Sequence, residues 1–501
     1  MTMGLKSLLS KPLARYTAWK VNRWKRRALH TQEAIREQLV RKGAATAFGK
    51  DHQLAQVSSY SDFKQRVPIR DYEELKPYVD RIVAGESDVL WPGKPMYFSK
   101  TSGTTSGAKY IPITADSMGH HIDAARNALL LYIAETGNAS FVDGNMIFLQ
   151  GSPVMGDTNG IATGRLSGIV AHHVPSYLQK NRLPSFETNS IDDWETKVDK
   201  VIDETLDRPM TLISGIPSWV QHYFEKILER TGKPAIKEVF PGFDLFVYGG
   251  VNFEPYRKRF ERLIGKKVDS IETYPASEGF IAFQDKQGDP GLLLNTDAGI
   301  FFEFIPAENF FDENPPRLSL HEVETGVNYA LVLSTNAGLW AYSIGDTVKF
   351  VSIDPYKILV TGRIKHFTSA FGEHVIAEEV EAAMKAGLEQ CGGQAIEFTV
   401  APELEPSHGL PYHEWFIAFG DKPADMDRFA EVVDQALQQK NIYYADLIRG
   451  KILRPLQITS LHQDAFNLYM KSVGKLGGQN KVPRLSNDRK IAEVLSQWKD
   501  S

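Results

Sequence analysis

At 501 residues the chain is long enough for at least two folding units, and its 42% hydrophobic and 24% charged residues match an ordinary globular protein, which excludes a wholly disordered or membrane-spanning one. The formal net charge of -5 supplies no general basic field for a nucleic-acid backbone, so no nucleic-acid partner is expected. Cys391 is the only cysteine, which excludes an intramolecular disulfide and a multi-cysteine metal centre and fits a cytoplasmic setting.

The first elements are basic. Lys6, Lys11, Arg15, Lys20, Arg23, Lys25, Arg26 and Arg27 precede the first acid, Glu33, and no apolar run among them resembles a secretion signal. The segment reads as a solvated helix face, with contact to an anionic membrane surface as the side reading. Ile35, Leu39, Ala45 and Phe48 then have helical spacing, and residues 63–78 give a polar helix and loop. Beyond Trp91-Pro92 the chain becomes rich in glycine and hydroxyls, a loop that leads into an amphipathic helix around residues 122–133.

Short apolar runs follow at 146–149, 212–213, 245–248, 300–305 and 329–333, with helical patterns at 219–230 and 255–264 between several of them. This alternation predicts an α/β core. A strand at 356–360 gives way to the polar stretch 362–372, and a helix begins near Ala377. The boundary is therefore set between a large N-terminal domain, 1–370, and a small α+β C-terminal domain, 371–501. In the latter, 398–400, 415–419 and 452–458 read as strands and 426–439 as a helix.

Four segments carry chemistry. The first is Thr101-Ser102-Gly103-Thr104-Thr105-Ser106-Gly107-Ala108-Lys109, whose small residues, hydroxyls and lysine could cradle a triphosphate. It is not a Walker A loop: the glycines are four apart, Ala108 separates Gly107 from Lys109, Tyr110 replaces the metal-binding hydroxyl, and Pro112 opposes a helix. A flexible linker is the competing reading.

The second is Tyr274-Pro275-Ala276-Ser277-Glu278-Gly279, with an aromatic ring for adenine and a carboxylate for a magnesium ion. Tyr248-Gly249-Gly250 offers close backbone approach to a base or acyl group. Each could equally be a structural turn. Third, Asp346 in Leu339-Trp340-Ala341-Tyr342-Ser343-Ile344-Gly345-Asp346 suits both hydroxyls of a ribose, and Arg363 in Gly362-Arg363-Ile364-Lys365 suits the same sugar or a phosphate, unless both serve surface ion pairs. Fourth, Gly477-Gly478-Gln479-Asn480-Lys481 presents Lys481, able to stabilise charge on departing pyrophosphate or merely solvated.

In this order the segments resemble the Gretchen Hagen (auxin-responsive promoter) family of acyl-acid amido synthetases, within the adenylate-forming superfamily. The likeness covers nearly the whole chain and extends to Val67-Pro68-Ile69-Arg70-Asp71-Tyr72 and Leu90-Trp91-Pro92-Gly93. It implies a large adenylate-forming domain of mixed sheets and helices and a smaller mobile C-terminal domain. It also implies roles: Ser102, Gly103, Thr104, Thr105 and Ser106 as the phosphate loop, Tyr274, Ser277 and Glu278 as the adenine and metal motif, Asp346 and Arg363 at the ribose, Lys365 at the hinge and Lys481 as the lysine of the mobile domain. Tyr274-Pro275-Ala276 and Trp340-Ala341-Tyr342-Ser343 depart from the plant pattern, so the chain is more similar to bacterial members.

The implied reaction activates a small carboxylic acid with ATP and Mg2+ to an acyl-adenylate, then transfers the acyl group to an amine such as an amino acid. A coenzyme A ligase ending in a thioester and a silent nucleotide- or acyl-binding protein are the alternatives. No enzyme nucleophile is needed, and Cys391, beside Gly392-Gly393, has no recognisable base. The histidines show no metal-ligand spacing. His120, His121, Asn127 and Leu131 on one helix, Tyr248 and Gly249, and the loop 151–165 are the candidates for acyl recognition.

Overall fold

The computed structural model describes residues 4–104, 107–174, 179–191, 193–250, 253–289, 291–364, 367–368, 370–373, 375–473 and 482–500. The chain falls into two compact units, residues 1–192 with 197–364, and residues 365–501 with the stretch 193–196.

The first unit opens with helices α1 (Leu5–Lys25), α2 (Ala28–Gly43), α3 (Ala47–Asp51), α4 (Tyr60–Arg66) and α5 (Tyr72–Val83). Local chemistry starts several of them. Ser59 and Asp71 form capping boxes with Asp62 and Glu74, satisfying backbone donors that a helix start leaves open. The start of α1 lacks a cap of its own and instead donates the N–H groups of Gly4 and Ser7 to the Asp143 carboxylate. The single helix expected across 32–48 is in fact α2 and α3, broken at 44–46, where Thr46 caps the second piece.

Among the described residues, one sheet of eleven strands organises this unit. Its parallel part runs β6 (Arg182–Leu183), β3 (Asn145–Leu149), β7 (Met210–Gly215), β8 (Leu245–Gly249) and β9 (Asp269–Ala276). Helices Pro217–Thr231 and Glu254–Ile264 provide the crossovers that parallel pairing requires. From β9 the sheet continues antiparallel through β10 (Gly279–Phe283), β11 (Leu292–Leu294), β15 (Tyr356–Arg363), β14 (Tyr342–Ile353), β13 (Asn328–Thr335) and β12 (Ile300–Pro306). A second sheet has the order β2 (Gly107–Ile113), β1 (Tyr97–Thr104), β5 (Ile161–Gly164), β4 (Gly156–Thr158). The α/β core is thus present. The stretches expected as loops at 101–109 and 151–165 instead contain paired strands.

Two buried features join the leading helices to the sheet. Trp340 has no exposed surface, stacks on Phe48 at 5.5 Å and donates its indole N–H to the Leu90 carbonyl at 3.0 Å. Glu303 on β12 is likewise fully buried and binds Arg317 through two parallel hydrogen bonds of 2.9 and 2.8 Å. Tyr60 donates to the same carboxylate, while Arg317 reaches the Val67 carbonyl.

The second unit is α+β. Helix Ala377–Cys391 precedes β16 (Gln394–Glu403) and β17 (Tyr412–Asp421), and helix Met426–Lys440 leads toward β18 (Gln457–Leu461), which pairs parallel to β17. The strand expected at 452–458 therefore begins later, after Pro455, which has no N–H to give a ladder. Within this unit His413 and Glu373, both without exposed surface, pair at 2.8 Å.

Glu303→Gln leaves the Arg317 charge buried and half-paired, so we expect a loss of about 3 kcal/mol in the stability of the first unit, read from its urea unfolding transition.

Candidate functional site

Of the residues singled out from the sequence, Tyr248, Gly249, Tyr274, Ser277, Glu278 and Asp346 lie where the parallel part of the sheet meets the antiparallel part. In open sheets, ligands bind beyond the carboxyl ends of parallel strands. Tyr248-Gly249-Gly250 and Tyr274-Pro275-Ala276 form those ends on the adjacent strands β8 and β9. Gly249 lies opposite Thr273, and a Cβ there would sit 2.3 Å from the Thr273 carbonyl oxygen. The glycine is therefore demanded by close approach of the two backbones. Thr273 fastens the pair by donating its hydroxyl to the Tyr248 carbonyl at 2.9 Å.

Ser277 and Glu278 are the only residues between Ala276 and its partner Gly279, so they form a two-residue turn from β9 into β10. The hydroxyls of Ser277 and Ser99 are 2.7 Å apart, and Ser99 is fully buried in β1. That bond ties the Ser277-Glu278 turn to the strand carrying Ser102, Gly103 and Thr104. Sequence reading missed Ser99. Its one signal is a hydroxyl next to the apolar Phe98, just before the glycines.

The glycine and hydroxyl segment is a hairpin. Tyr97–Ser99 pairs with 111–113, the register shifts between Thr101 and Thr104, and Thr104 pairs with Gly107. Thr105 and Ser106 lie outside the described residues, as do the hinge candidate Lys365 and Lys481.

Asp346 is displayed by a bulge. Between the pairs Val332–Ser343 and Ala330–Thr347, β14 spends four residue steps where β13 spends two, and the surplus falls on 344–346. Gly345 takes φ +81°, a conformation open to glycine, and its carbonyl accepts the Ile364 N–H at 2.8 Å. On the far side Asp346 is in register with Arg363 of β15. The Tyr274 hydroxyl donates to the Asp346 carboxylate. Tyr274, Ser277, Asp346 and the backbone of Arg363 are thereby joined.

The segment Val67–Tyr72 braces this arrangement. Arg70 exchanges backbone hydrogen bonds with the turn before the bulge, its N–H to Ala341 at 3.1 Å and its carbonyl from Ser343 at 2.8 Å. The Tyr72 hydroxyl accepts the Tyr110 N–H of the hairpin at 2.8 Å.

The donor set fits a nucleotide with magnesium. Among the described residues no group of three or more side chains could cage a metal ion. A carboxylate such as that of Glu278 suits Mg2+, which takes one or two protein carboxylates together with phosphate oxygens and water.

The acyl candidates on α6 (Ala115–Thr136) lie along β9 and β10, against which the helix packs. Leu131 belongs to a core cluster with Val21 and Trp24 of α1 and Phe280 and Phe283 of β10, so the side chain is spent on packing. Asn127 is half-buried. His120 lies beside Gly299, and burial lowers its pKa against the opposing pull of Asp297. His121 is 3% exposed, its Nδ1 has no hydrogen-bond partner among the described residues, and burial pushes its pKa down to about 4.

Two outcomes follow. Ser277→Ala strands the buried Ser99 hydroxyl and should cost about 1–3 kcal/mol in thermal unfolding. Because His121 titrates near 4 when folded and near 6.5 when unfolded, the unfolded chain binds the extra proton between those values. Stability is therefore full above pH 6.5 and falls toward pH 4, by about 3 kcal/mol from this group, and His121→Leu should remove that part of the slope in melting curves.

Comparison with known proteins gives three matches to one family: the GH3 family N-terminal domain over residues 19–191, its central domain over 293–363 and its C-terminal domain over 378–490. The chain is 33% identical over 566 residues to the indole-3-acetic acid-amido synthetase GH3.15 of Arabidopsis thaliana, covering 93% of this chain and 91% of the relative. It is 21% identical to the jasmonoyl–L-amino acid synthetase GH3.5 of Oryza sativa subsp. japonica, covering 94% and 95%. The solved structure of the AtGH3.15 acyl acid amido synthetase in complex with 2,4-DB has the same fold, with a TM-score of 0.63 at 17% identity and coverage of 97% and 96%.

Proposed function

The chain belongs to the GH3 family, and we propose that it activates a small carboxylic acid with ATP and passes the acyl group to the amine of an amino acid. The observation that carries this reading is the junction of Tyr274 with Asp346 and of Ser277 with Ser99 at the carboxyl ends of β8 and β9. It joins in space three segments that stand far apart in the sequence.

The chemistry needs two steps. A carboxylate is a poor acyl donor because its charge is delocalised and its leaving group is oxide or hydroxide. In the first step the acid's oxygen bonds to the α-phosphorus of ATP, and the bond to pyrophosphate breaks. In the second the amine nitrogen bonds to the acyl carbon, AMP departs with the bonding pair, and the nitrogen loses a proton. AMP is the good leaving group that the carboxylate lacked.

We assign to Asp346 the ribose hydroxyls, with Tyr274 holding the carboxylate by its hydroxyl and Arg363 opposite it in register. Ser102, Gly103, Thr104, Thr105 and Ser106 are assigned to the phosphates, and Glu278 to Mg2+, which when bound offsets phosphate charge. Lys481 is assigned to the developing charge on pyrophosphate, and Lys365 to the hinge. Acyl selection is assigned to the surfaces around Tyr248, Gly249 and α6. A cytoplasmic location accords with the single cysteine.

The test follows AMP, ADP and pyrophosphate with pooled carboxylic acids and magnesium, with and without amino acids. Acid-dependent AMP and pyrophosphate, with an amide once an amino acid is added, is the expected pattern. ADP with phosphate would overturn adenylation, and a thioester with coenzyme A in place of an amide would overturn the second step. Asp346→Ala should lower kcat/KM for ATP by about 100-fold, and Lys481→Ala should slow pyrophosphate release by about 100-fold with melting unchanged. An unaltered Lys481→Ala adenylation rate would remove that residue from the first step.

A further inference from the structure

Helix α1 is seated on one face. Ser7, Ala14, Thr17, Val21 and Trp24 are buried, the helix start donates to Asp143, and Lys25 near its end forms an ion pair with the buried Asp285. The opposite face departs from the solvated polar surface expected from the sequence. Leu8, Leu9, Leu13, Tyr16 and Trp19 expose 55, 64, 49, 60 and 58% of their surface. At about 100° per residue they fall within an arc of about 140° on one side of the helix. Exposed apolar residues scattered singly need no explanation, whereas a contiguous stripe marks an interaction surface.

The charges select the partner. No acid occurs in α1, although the whole chain carries a formal net charge of -5. Arg15 borders the stripe, Lys20 and Arg23 close its C-terminal end, and Arg26 and Arg27 follow, all five exposed. Arg23 lies 5.8 Å from the centre of the Trp19 ring. The occupant must therefore be apolar along the stripe and anionic at its end and margin. An anionic bilayer surface meets both demands: leucines enter the boundary below the headgroups, Tyr16 and Trp19 suit the headgroup level, and the cations meet lipid phosphates. Because the buried face holds α1 lengthwise on the unit, the helix can lie in the interfacial plane. No helix of the described residues is long and apolar enough to cross a membrane.

We propose that α1 docks the protein on anionic membrane surfaces through this stripe and its flanking cations. The experiment is flotation of the full chain with vesicles of phosphatidylcholine alone and of phosphatidylcholine containing phosphatidylglycerol, at low and high salt. The expected result is binding to the anionic vesicles, weakened by salt. Leu9→Glu with Trp19→Glu, and separately Arg15→Gln with Lys20→Gln and Arg23→Gln, should each cut the bound fraction by about tenfold or more, with melting temperature and acid-dependent AMP formation unchanged. Absence of anionic-vesicle binding, or binding indifferent to both variants, would overturn the proposal. So would self-association, seen by sedimentation without vesicles and abolished by Leu9→Glu with Trp19→Glu, because a second copy would then be the occupant.

Discussion

A buried indole has one polar atom to satisfy, and at Trp340 that requirement governs how the leading third of the chain meets the sheet. Its N–H must find an acceptor away from water, and the Leu90 carbonyl supplies it. Phe48 stacks on one side and Trp91 tilts against the ring. The next residue, Ala341, is held at φ +43°, unusual for a residue with a Cβ, by a hydrogen bond from its N–H to Ser334 and by the Arg70 N–H on its carbonyl. With these contacts made, Arg70 is beside the bulge that bears Asp346 and Tyr72 is beside the β1–β2 hairpin. Thus the segments 67–72 and 90–93, which make none of the assigned ligand contacts, still set the geometry of those that do.

β9 is where two kinds of pairing share one strand. On its β8 side it completes the parallel part, so its carboxyl end faces the position where α/β sheets bind ligands. On its β10 side it is half of a tight hairpin, so the chain turns at once and places Ser277 at the strand tip. Asp346 reaches the same place from the antiparallel part by means of a bulge, which re-aims a side chain without ending the strand. A sheet of a single kind would have offered only one of these routes.

What could be read from the sequence follows from this architecture. Parallel strands buried on both faces appear as continuous apolar runs, which is why β3, β7 and β8 were visible from composition. The hairpin β1–β2 was hidden because Thr101-Ser102-Gly103-Thr104 shows no apolar alternation, and its pairing is set by the flanking residues 97–99 and 111–113. Asp346 and Tyr274 were legible as motifs, whereas their mutual hydrogen bond and the support from Ser99 and Arg70 are long-range contacts with no local signature. In and just after α1, the eight cations between Lys6 and Arg27 mask the apolar pattern. Only burial reveals that Ala14, Val21 and Trp24 face inward and that Leu9, Tyr16 and Trp19 are left outside.

The two-residue turn at Ser277-Glu278 has a consequence for how such a chain can diverge. Side chains alternate across a strand, so one residue inserted between Tyr274 and the turn would reverse the face from which Tyr274 projects and carry it away from Asp346. One deleted would leave too few residues to close the hairpin. Changes of length are therefore barred at this corner and are left to places such as the β4–β5 hairpin, at the outer edge of the second sheet, where, among the described residues, only β1 pairs with it.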